Sequence, residues 1–312
     1  GSALIQFLND SAFQDILAVD AFSPAKGKNL NGKSYEFIDR EVFLSTTFVE
    51  IANQVQGVFH LGARTDTAEK DWKIFKELNL DYSKRIWEIC TQHQIPLVYA
   101  SSAATYGLGE QGYRDDHQIV KDLKPLNPYG QSKQDFDVWA LSQSETPPFW
   151  AGLKFFNVYG PNEYHKGRMA SVVWHAFRQI KNTGQMKLFR SHKAGIADGQ
   201  QSRDFIFVED VLKVCFWLMI HQPESGLYNV GTGQARPFYD LAAQTFRSMG
   251  LEPKISFIDT PEDIRETYQY FTEADLSKLR TAGYSAHFTS LEAGIDRYVR
   301  AFLNLPEGPQ IY

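Results

Sequence analysis

Short apolar runs alternate with helix-length amphipathic segments from the first residues to about position 230, and this alternation limits the fold more than any other feature of the chain. A parallel strand buried on both faces reads as an unbroken run of aliphatic and aromatic residues, and its crossover reads as an amphipathic helix. The pattern therefore predicts strand-helix repeats around a parallel sheet. Strands are expected over 16–20, 35–38, 57–61, 96–101, 150–156, 205–208 and 227–230, with helices over 71–93, 129–142, 170–181, 211–221 and 238–249. The run Pro96-Leu97-Val98-Tyr99-Ala100-Ser101-Ser102 has the character of a buried strand, and its hydroxyl-rich end lies where parallel sheets hold their ligands.

Segments 158–203 and 234–312 leave this alternation and mix Pro, Gly, Tyr and Arg, as expected of a lobe that covers a substrate. With 312 residues and 43% hydrophobic content, the chain is long enough for one large or two modest domains. The net charge of −5, with basic residues scattered rather than gathered in a stripe, argues against a nucleic-acid partner. Cys90 and Cys215 are the two cysteines, each in an expected helix; neither a disulfide framework nor a metal site is indicated, and a reducing, cytoplasmic compartment is expected. No stretch approaches the ~20 apolar residues of a membrane span.

Downstream of the hydroxyl-rich strand end lies Tyr129-Gly130-Gln131-Ser132-Lys133. On a helix, residues i and i+4 share a face, so the Lys133 ammonium can sit beside the Tyr129 phenol and stabilise its anion. A phenol serving as base near neutrality needs its pKa lowered by roughly 3 units, or about 4 kcal/mol. Ser102 supplies a hydroxyl to the same place. The pattern reads as a redox site.

The chain opens on Gly1-Ser2-Ala3-Leu4-Ile5-Gln6-Phe7-Leu8, which looks like the helix that normally follows a first strand and a glycine-rich phosphate turn. Asp20, about twenty residues on, closes the next strand, where an acid can bond an adenosine ribose. The first strand and most of the phosphate loop, roughly ten residues, are therefore expected upstream of Gly1.

With these residues in view, the chain resembles the extended short-chain dehydrogenase/reductases, and among them the epimerases that invert C6 of an ADP-heptose. The resemblance rests on residues 99–107 and 129–133, on Phe156-Asn157-Val158-Tyr159-Gly160-Pro161 and on His165-Lys166-Gly167-Arg168-Met169-Ala170-Ser171-Val172. It rests also on Arg203-Asp204-Phe205, Tyr228-Asn229-Val230-Gly231-Thr232-Gly233 and Tyr268-Gln269-Tyr270-Phe271-Thr272. It implies an α/β fold with a Rossmann-type doubly wound parallel sheet and a smaller C-terminal substrate-binding lobe. Residues 1–157 with about 204–233 would form the dinucleotide-binding domain, and 158–203 with 234–312 the sugar-nucleotide-binding lobe.

The resemblance further implies bound NADP, with NAD as the alternative, and transient oxidation of the sugar to a 6-ketone. Tyr129 matches the catalytic tyrosine, Lys133 the lysine on the nicotinamide ribose, Ser102 the hydroxyl that steadies the reacting oxygen and Lys166 a second base. A lysine base must be partly neutral, which demands burial or a cationic neighbour such as Arg168. On the cofactor side the matching positions are Gly1, Asp20, Lys26, Lys28, Leu61, Gly62, Ala63, Asn79 and Val158, the two lysines offsetting the repulsion of a 2′-phosphate by Asp20. On the substrate side they are Asn157, Arg168, His175, Phe189, Arg203 and Tyr268, suited to pairing a diphosphate and stacking an adenine. The loop 191–202 looks longer than its counterparts. A homo-oligomer serving lipopolysaccharide core assembly is implied.

Two other readings compete. A UDP-hexose 4-epimerase or dehydratase is one; a dehydratase usually carries Asp-Glu where Ala103-Ala104 follow Ser102 here, and a UDP-hexose epimerase would not need Lys166. A non-catalytic sugar-nucleotide-binding protein is the other, favoured if the phosphate loop were truly absent.

Overall fold

This computed structural model describes residues 1–21, 23–265, 268–306 and 308–312. Among them are eleven strands: β1 (Leu17–Asp20), β2 (Glu36–Asp39), β3 (Val58–His60), β4 (Leu97–Ser102), β5 (Trp150–Phe155), β6 (Asn157–Tyr159), β7 (Met186–Phe189), β8 (Ser202–Phe207), β9 (Gly226–Val230), β10 (Ala235–Pro237) and β11 (Ile255–Ile258). The chain divides into two compact units. The first comprises Gly1–Phe155, Leu212–Val230 and Asp275–Ser285; the second comprises Phe156–Val211, Gly231–Ala274 and Ala286–Tyr312.

In the first unit β3, β4, β5 and β9 form a parallel sheet in that order. Leu97, Val98, Leu153 and Leu227 have no exposed surface, so the central strands are covered on both faces, as their unbroken apolar runs require. Helices Tyr82–Gln92 and Pro128–Leu141 are held to this sheet by aromatic packing: Trp87 lies 5.1 Å edge-on from Trp150, and Phe136 lies 4.9 Å edge-on from Tyr99. Burying each such ring contributes roughly 1.5–3 kcal/mol. β1 and β2 pair in parallel with each other, and among the described residues neither pairs with β3. The parallel strands thus form two sheets rather than one. The chain enters β1 from helix Ser2–Asp10, the helix its opening residues predict.

The second unit is built on β10-β8-β6, with β6 parallel and β10 antiparallel to β8, and on the parallel pair β7 and β11. Helices Val172–Thr183, Phe238–Ser248 and Leu291–Tyr298 close its core around Phe177, Phe246 and Tyr298.

The parallel α/β framework agrees with the pattern of apolar runs, and several details differ. The strand expected over 205–208 begins at Ser202 and ends at Phe207, where Val208 opens helix Val208–His221. Its partners β6 and β10 draw 204–211 into the second unit rather than the first. Residues 275–285 return to the first unit, which no break in composition foretold. The helix expected over 71–93 is one rod with a widened π turn at Lys76–Asp81. β6, β7, β10 and β11 were not expected: they lie in or at the edge of segments 158–203 and 234–312, where the apolar alternation breaks off, whereas the equally short β1, β2 and β3 sit within it. No helix among the described residues is long and apolar enough to cross a membrane.

Helix Pro128–Leu141 starts where its sequence dictates. Asn127 caps it by accepting from the Gly130 amide at 2.8 Å, and Pro128 occupies the first turn, where its missing N–H costs nothing. Gly130 lets this start come close: a Cβ there would stand 3.0 Å from the Ala104 carbonyl oxygen. Asn127→Ala is expected to lower unfolding free energy by about 1 kcal/mol, and Asn127→Asp to keep most of it, as measured by urea denaturation.

Candidate active site

Three rungs join one face of helix Pro128–Leu141 to three consecutive residues at the end of β4. Tyr129 hydrogen-bonds through its side chain with Ser102, Lys133 donates from Nζ to the Ala100 carbonyl at 2.7 Å, and Asp137 accepts from Ser101 Oγ at 2.6 Å. Positions 129, 133 and 137 are successive i+4 neighbours, so helix pitch alone brings them into line. Ser102 Oγ also accepts from the Ala104 amide at 3.1 Å, which caps the tight turn Ala103–Tyr106. Tyr129, Lys133 and Ser102 therefore share one place, as their spacing predicts.

Their electrostatics differ from the expectation in one respect. The Lys133 ammonium turns to the Ala100 carbonyl, and the Tyr129 phenol stands above its ordinary pKa because desolvation outweighs the Ser102 hydrogen bond that pulls it down, with Asp137 adding to the rise. Lys133 itself is brought down to about 8 by burial, with Asp137 opposing the fall.

The carboxyl ends of the two parallel sheets of the first unit meet at Tyr82. Its ring stacks on His60 at the end of β3, its hydroxyl donates to the Arg40 carbonyl after β2, and the field of Asp20 at the end of β1 reaches it. His60 in turn holds Ser83 Oγ at 2.8 Å and is pushed down to about 3 by burial and by the neighbouring Lys133 charge, so it is a neutral ring. Asp20 and His60 thus stand at the carboxyl ends of β1 and β3, with Lys133 near enough for its charge to reach His60, on the side of the strands where ligands of such sheets bind.

Asp20 pairs with Lys26 at 2.9 Å, while Lys28 is exposed. Leu61, Gly62 and Ala63 follow β3, and a Cβ at Gly62 would meet nothing within 4 Å. Asn79 is buried in the π turn. It accepts from the Arg64 amide at 2.7 Å and donates to the Arg64 carbonyl and to Ser132 Oγ, both at 2.9 Å. It therefore ties the loop after β3 to the Tyr129 helix, a supporting role. Gly1 precedes helix Ser2–Asp10, whose first turn carries no acid. These residues suit a dinucleotide: an acid for a ribose, an open strand end for a ring, a buried cation for a second ribose. Val158 lies in the second unit, on β6.

The second unit holds the other candidates in two groups. Lys166 and Arg168 are exposed on the loop Tyr164–Met169, and His175 Nε2 lies 3.3 Å from the Arg168 carbonyl. Lys166 is not buried, and Arg168 follows it two residues on in the same exposed segment. This loop is closed at its base by the buried Glu163, which accepts from Ser171 N at 2.6 Å, Ser171 Oγ at 2.7 Å and the Tyr298 hydroxyl at 2.9 Å. In the other group Tyr268 meets Phe189 edge-on at 6.2 Å, and the Arg203 guanidinium lies 5.5 Å over Tyr268. Arg203 also holds the Tyr268 phenol's pKa down against burial, which is the stronger effect. Asn157 is exposed on β6, opposite Phe205. The long loop 191–202 is folded on itself, Asp198 accepting from the Ser191 amide at 2.8 Å and Gln201 donating to the Phe189 and Arg190 carbonyls.

Sequence reading missed His60, Tyr82, Glu163 and Asp137. Only Asp137 left a signal, its i+4 step from Lys133; the others are brought to the site by tertiary packing.

The profile of the NAD dependent epimerase/dehydratase family matches residues 1–231, and the chain belongs to that family. It is 43% identical over 314 residues to the ADP-L-glycero-D-manno-heptose-6-epimerase of Fusobacterium nucleatum, covering 97% of this chain and 95% of the relative. It is 46% identical over 306 residues to the protein of the same name from Nitratidesulfovibrio vulgaris, covering 97% and 94%. Among solved structures, the Helicobacter pylori ADP-L-glycero-D-manno-heptose-6-epimerase matches with a TM-score of 0.80 at 27% identity, covering 96% of this chain and 92% of that one. MoeE5 in complex with UDP-glucuronic acid and NAD matches with a TM-score of 0.74 at 25% identity, covering 96% and 95%.

Because Lys133 sheds its proton near pH 8 when folded and near 10.5 when unfolded, the unfolded state binds more protons in that window. Stability relative to Lys133→Met should therefore rise by about 3 kcal/mol between pH 8 and 10.5, and be lost again as pH falls through 8. Urea unfolding of both proteins across this range checks it.

Proposed function

We propose that this protein is an isomerase that inverts C6 of the heptose in ADP-D-glycero-D-manno-heptose, giving ADP-L-glycero-D-manno-heptose through a transient 6-ketone. The observation that carries this reading is the 43–46% identity, over 97% of the chain, to proteins named for that reaction. The reading places the enzyme in the cytoplasm, as a homo-oligomer, in assembly of the lipopolysaccharide inner core.

Family membership implies a nicotinamide cofactor, and we assign it as NADP. When bound it supplies hydride acceptance and return, which makes the inversion free of net redox change. Asp20, the 61–63 segment and Lys133 would hold its riboses and ring, with Asn79 fixing the loop after β3. The ion pair of Asp20 with Lys26 offsets the carboxylate charge that would repel a 2′-phosphate.

Tyr129 serves as the base that takes the C6 hydroxyl proton from one epimer, and Ser102 steadies the same oxygen. Inversion presents the ketone by its opposite face, so the proton returns from a second group, Lys166. Arg203, with Phe189 and Tyr268, suits a diphosphate and an adenine ring; Asn157, Arg168 and His175 suit the sugar and its loop.

Incubating the protein and NADP with ADP-D-glycero-D-manno-heptose should convert the C6 proton resonance to that of the other epimer, followed by NMR. Tyr129→Phe should reduce kcat roughly 10²–10⁴-fold. Lys166→Met should abolish inversion to a similar degree, and unchanged turnover of that variant, or no conversion by the wild type, would overturn the assignment. Lys26→Glu should shift the ratio of NADP to NAD affinity toward NAD by about tenfold, read by fluorescence titration with the reduced cofactors.

A further inference from the structure

Asp137 and Lys154 form an ion pair with no exposed surface on either side chain, Nζ to Oδ2 at 2.7 Å. Taking two charges out of water is costly, and apolar residues of similar volume often serve the fold as well, so such a pair calls for a reason beyond stability. Its connections supply one. Asp137 Oδ2 also accepts from Ser101 Oγ at 2.6 Å, and Oδ1 from the Tyr99 hydroxyl at 3.0 Å. Lys154 Nζ donates to Thr105 Oγ1 at 2.8 Å, and Thr105 Oγ1 donates to the Ser102 carbonyl at 2.9 Å. The pair therefore grips the residue before Ser102 and, through Thr105, the carbonyl of Ser102 itself. Asp137 is also the third rung of the helix that carries Tyr129 and Lys133.

We propose that Asp137, charge-balanced by Lys154, is a positioning residue that sets the register between the Tyr129 helix and the end of β4, and so aims the Tyr129 hydroxyl at Ser102. This rests on the epimerase reading for its kinetic consequence, but not for its geometry. Every polar group of the device lies within the first unit and has a partner, whereas apolar replacements would keep the packing of the helix but remove the directional bonds that fix its register on Ser101 and Ser102.

The test compares three variants with the wild type. Thr105→Val cuts the link to the Ser102 carbonyl at constant volume. Asp137→Leu combined with Lys154→Met removes the pair without leaving a lone buried charge. Lys154→Arg keeps the charge and is the rescue. Folding is checked by near-ultraviolet circular dichroism.

Thr105→Val and the double variant should lose tenfold or more in kcat, with KM for the ADP-heptose and cofactor affinity unchanged within about threefold, and Lys154→Arg should retain most of kcat. The Tyr129 ¹³Cζ resonance, sharp in the wild type at pH 7, should move or broaden in the same two variants. Folded variants with wild-type kcat and an unmoved resonance overturn the proposal, as does a loss confined to KM. If the double variant does not fold, Thr105→Val decides alone. If the wild type fails to turn over ADP-heptose, the epimerase reading falls, and the resonance still decides whether the pair positions Tyr129.

Discussion

A lysine ammonium inside the protein is the constraint around which the first unit is arranged. Lys133 is 5% exposed, and its head must be met by oxygen. Ala100 lies on β4 one residue past the last β3 pair, His60 with Tyr99, and two residues before Ser102, and a helix entering at Asn127 delivers the lysine to its carbonyl. Once that cation is in place, its neighbours follow. His60, neutral chiefly through its own burial, is held so further by the Lys133 charge; Asp137 supplies opposite charge one turn further along, and Asp137 in turn requires Lys154 so that its own burial is tolerated. Charges alternate inward from the strand ends until each has a partner.

The second unit solves a different problem. Its loop Tyr164–Met169 presents Lys166 and Arg168 outward, so nothing within the loop fixes them by burial; order comes from the base instead. Glu163 accepts from the amide and hydroxyl of Ser171 and from the Tyr298 hydroxyl, which staples the loop's two ends to the helix Leu291–Tyr298. The chain end adds a second tie, the Tyr164 hydroxyl donating to the Gln310 carbonyl at 2.6 Å and the Tyr312 amide to Asn162 Oδ1 at 2.9 Å. A cationic loop held at both ends but open at its tip can meet an anionic ligand without having to be refolded for it.

How much of this was legible in the sequence depends on the range of the interaction. The parallel strands, the Tyr129 helix and its partners Ser102 and Lys133 follow from local period and from i+4 spacing, which need no knowledge of the tertiary fold. The short strands β6, β7, β10 and β11 of the second unit did not show, because they fall in or beside segments without the strand-helix alternation that marks the equally short β1, β2 and β3. Neither did the meeting at Tyr82, where His60, Arg40 and Asp20 converge from positions far apart in the chain. The i+4 argument placed Tyr129 and Lys133 correctly on one face, yet it could not tell that the ammonium would prefer a carbonyl to the phenol. A strand-end carbonyl offers a fixed acceptor at hydrogen-bond distance, while an un-ionised phenol offers a cation little.

That preference bears on when Tyr129 can act. Its phenol lies above its ordinary pKa, with desolvation and Asp137 both holding the proton on, and Ser102 pulling the other way. A base near neutrality needs the opposite balance by about 4 kcal/mol. In the reaction proposed above, the shortfall would be met by positive charge beside the phenol, brought by an oxidised nicotinamide or by Lys133 turning part of its charge from the Ala100 carbonyl toward Tyr129.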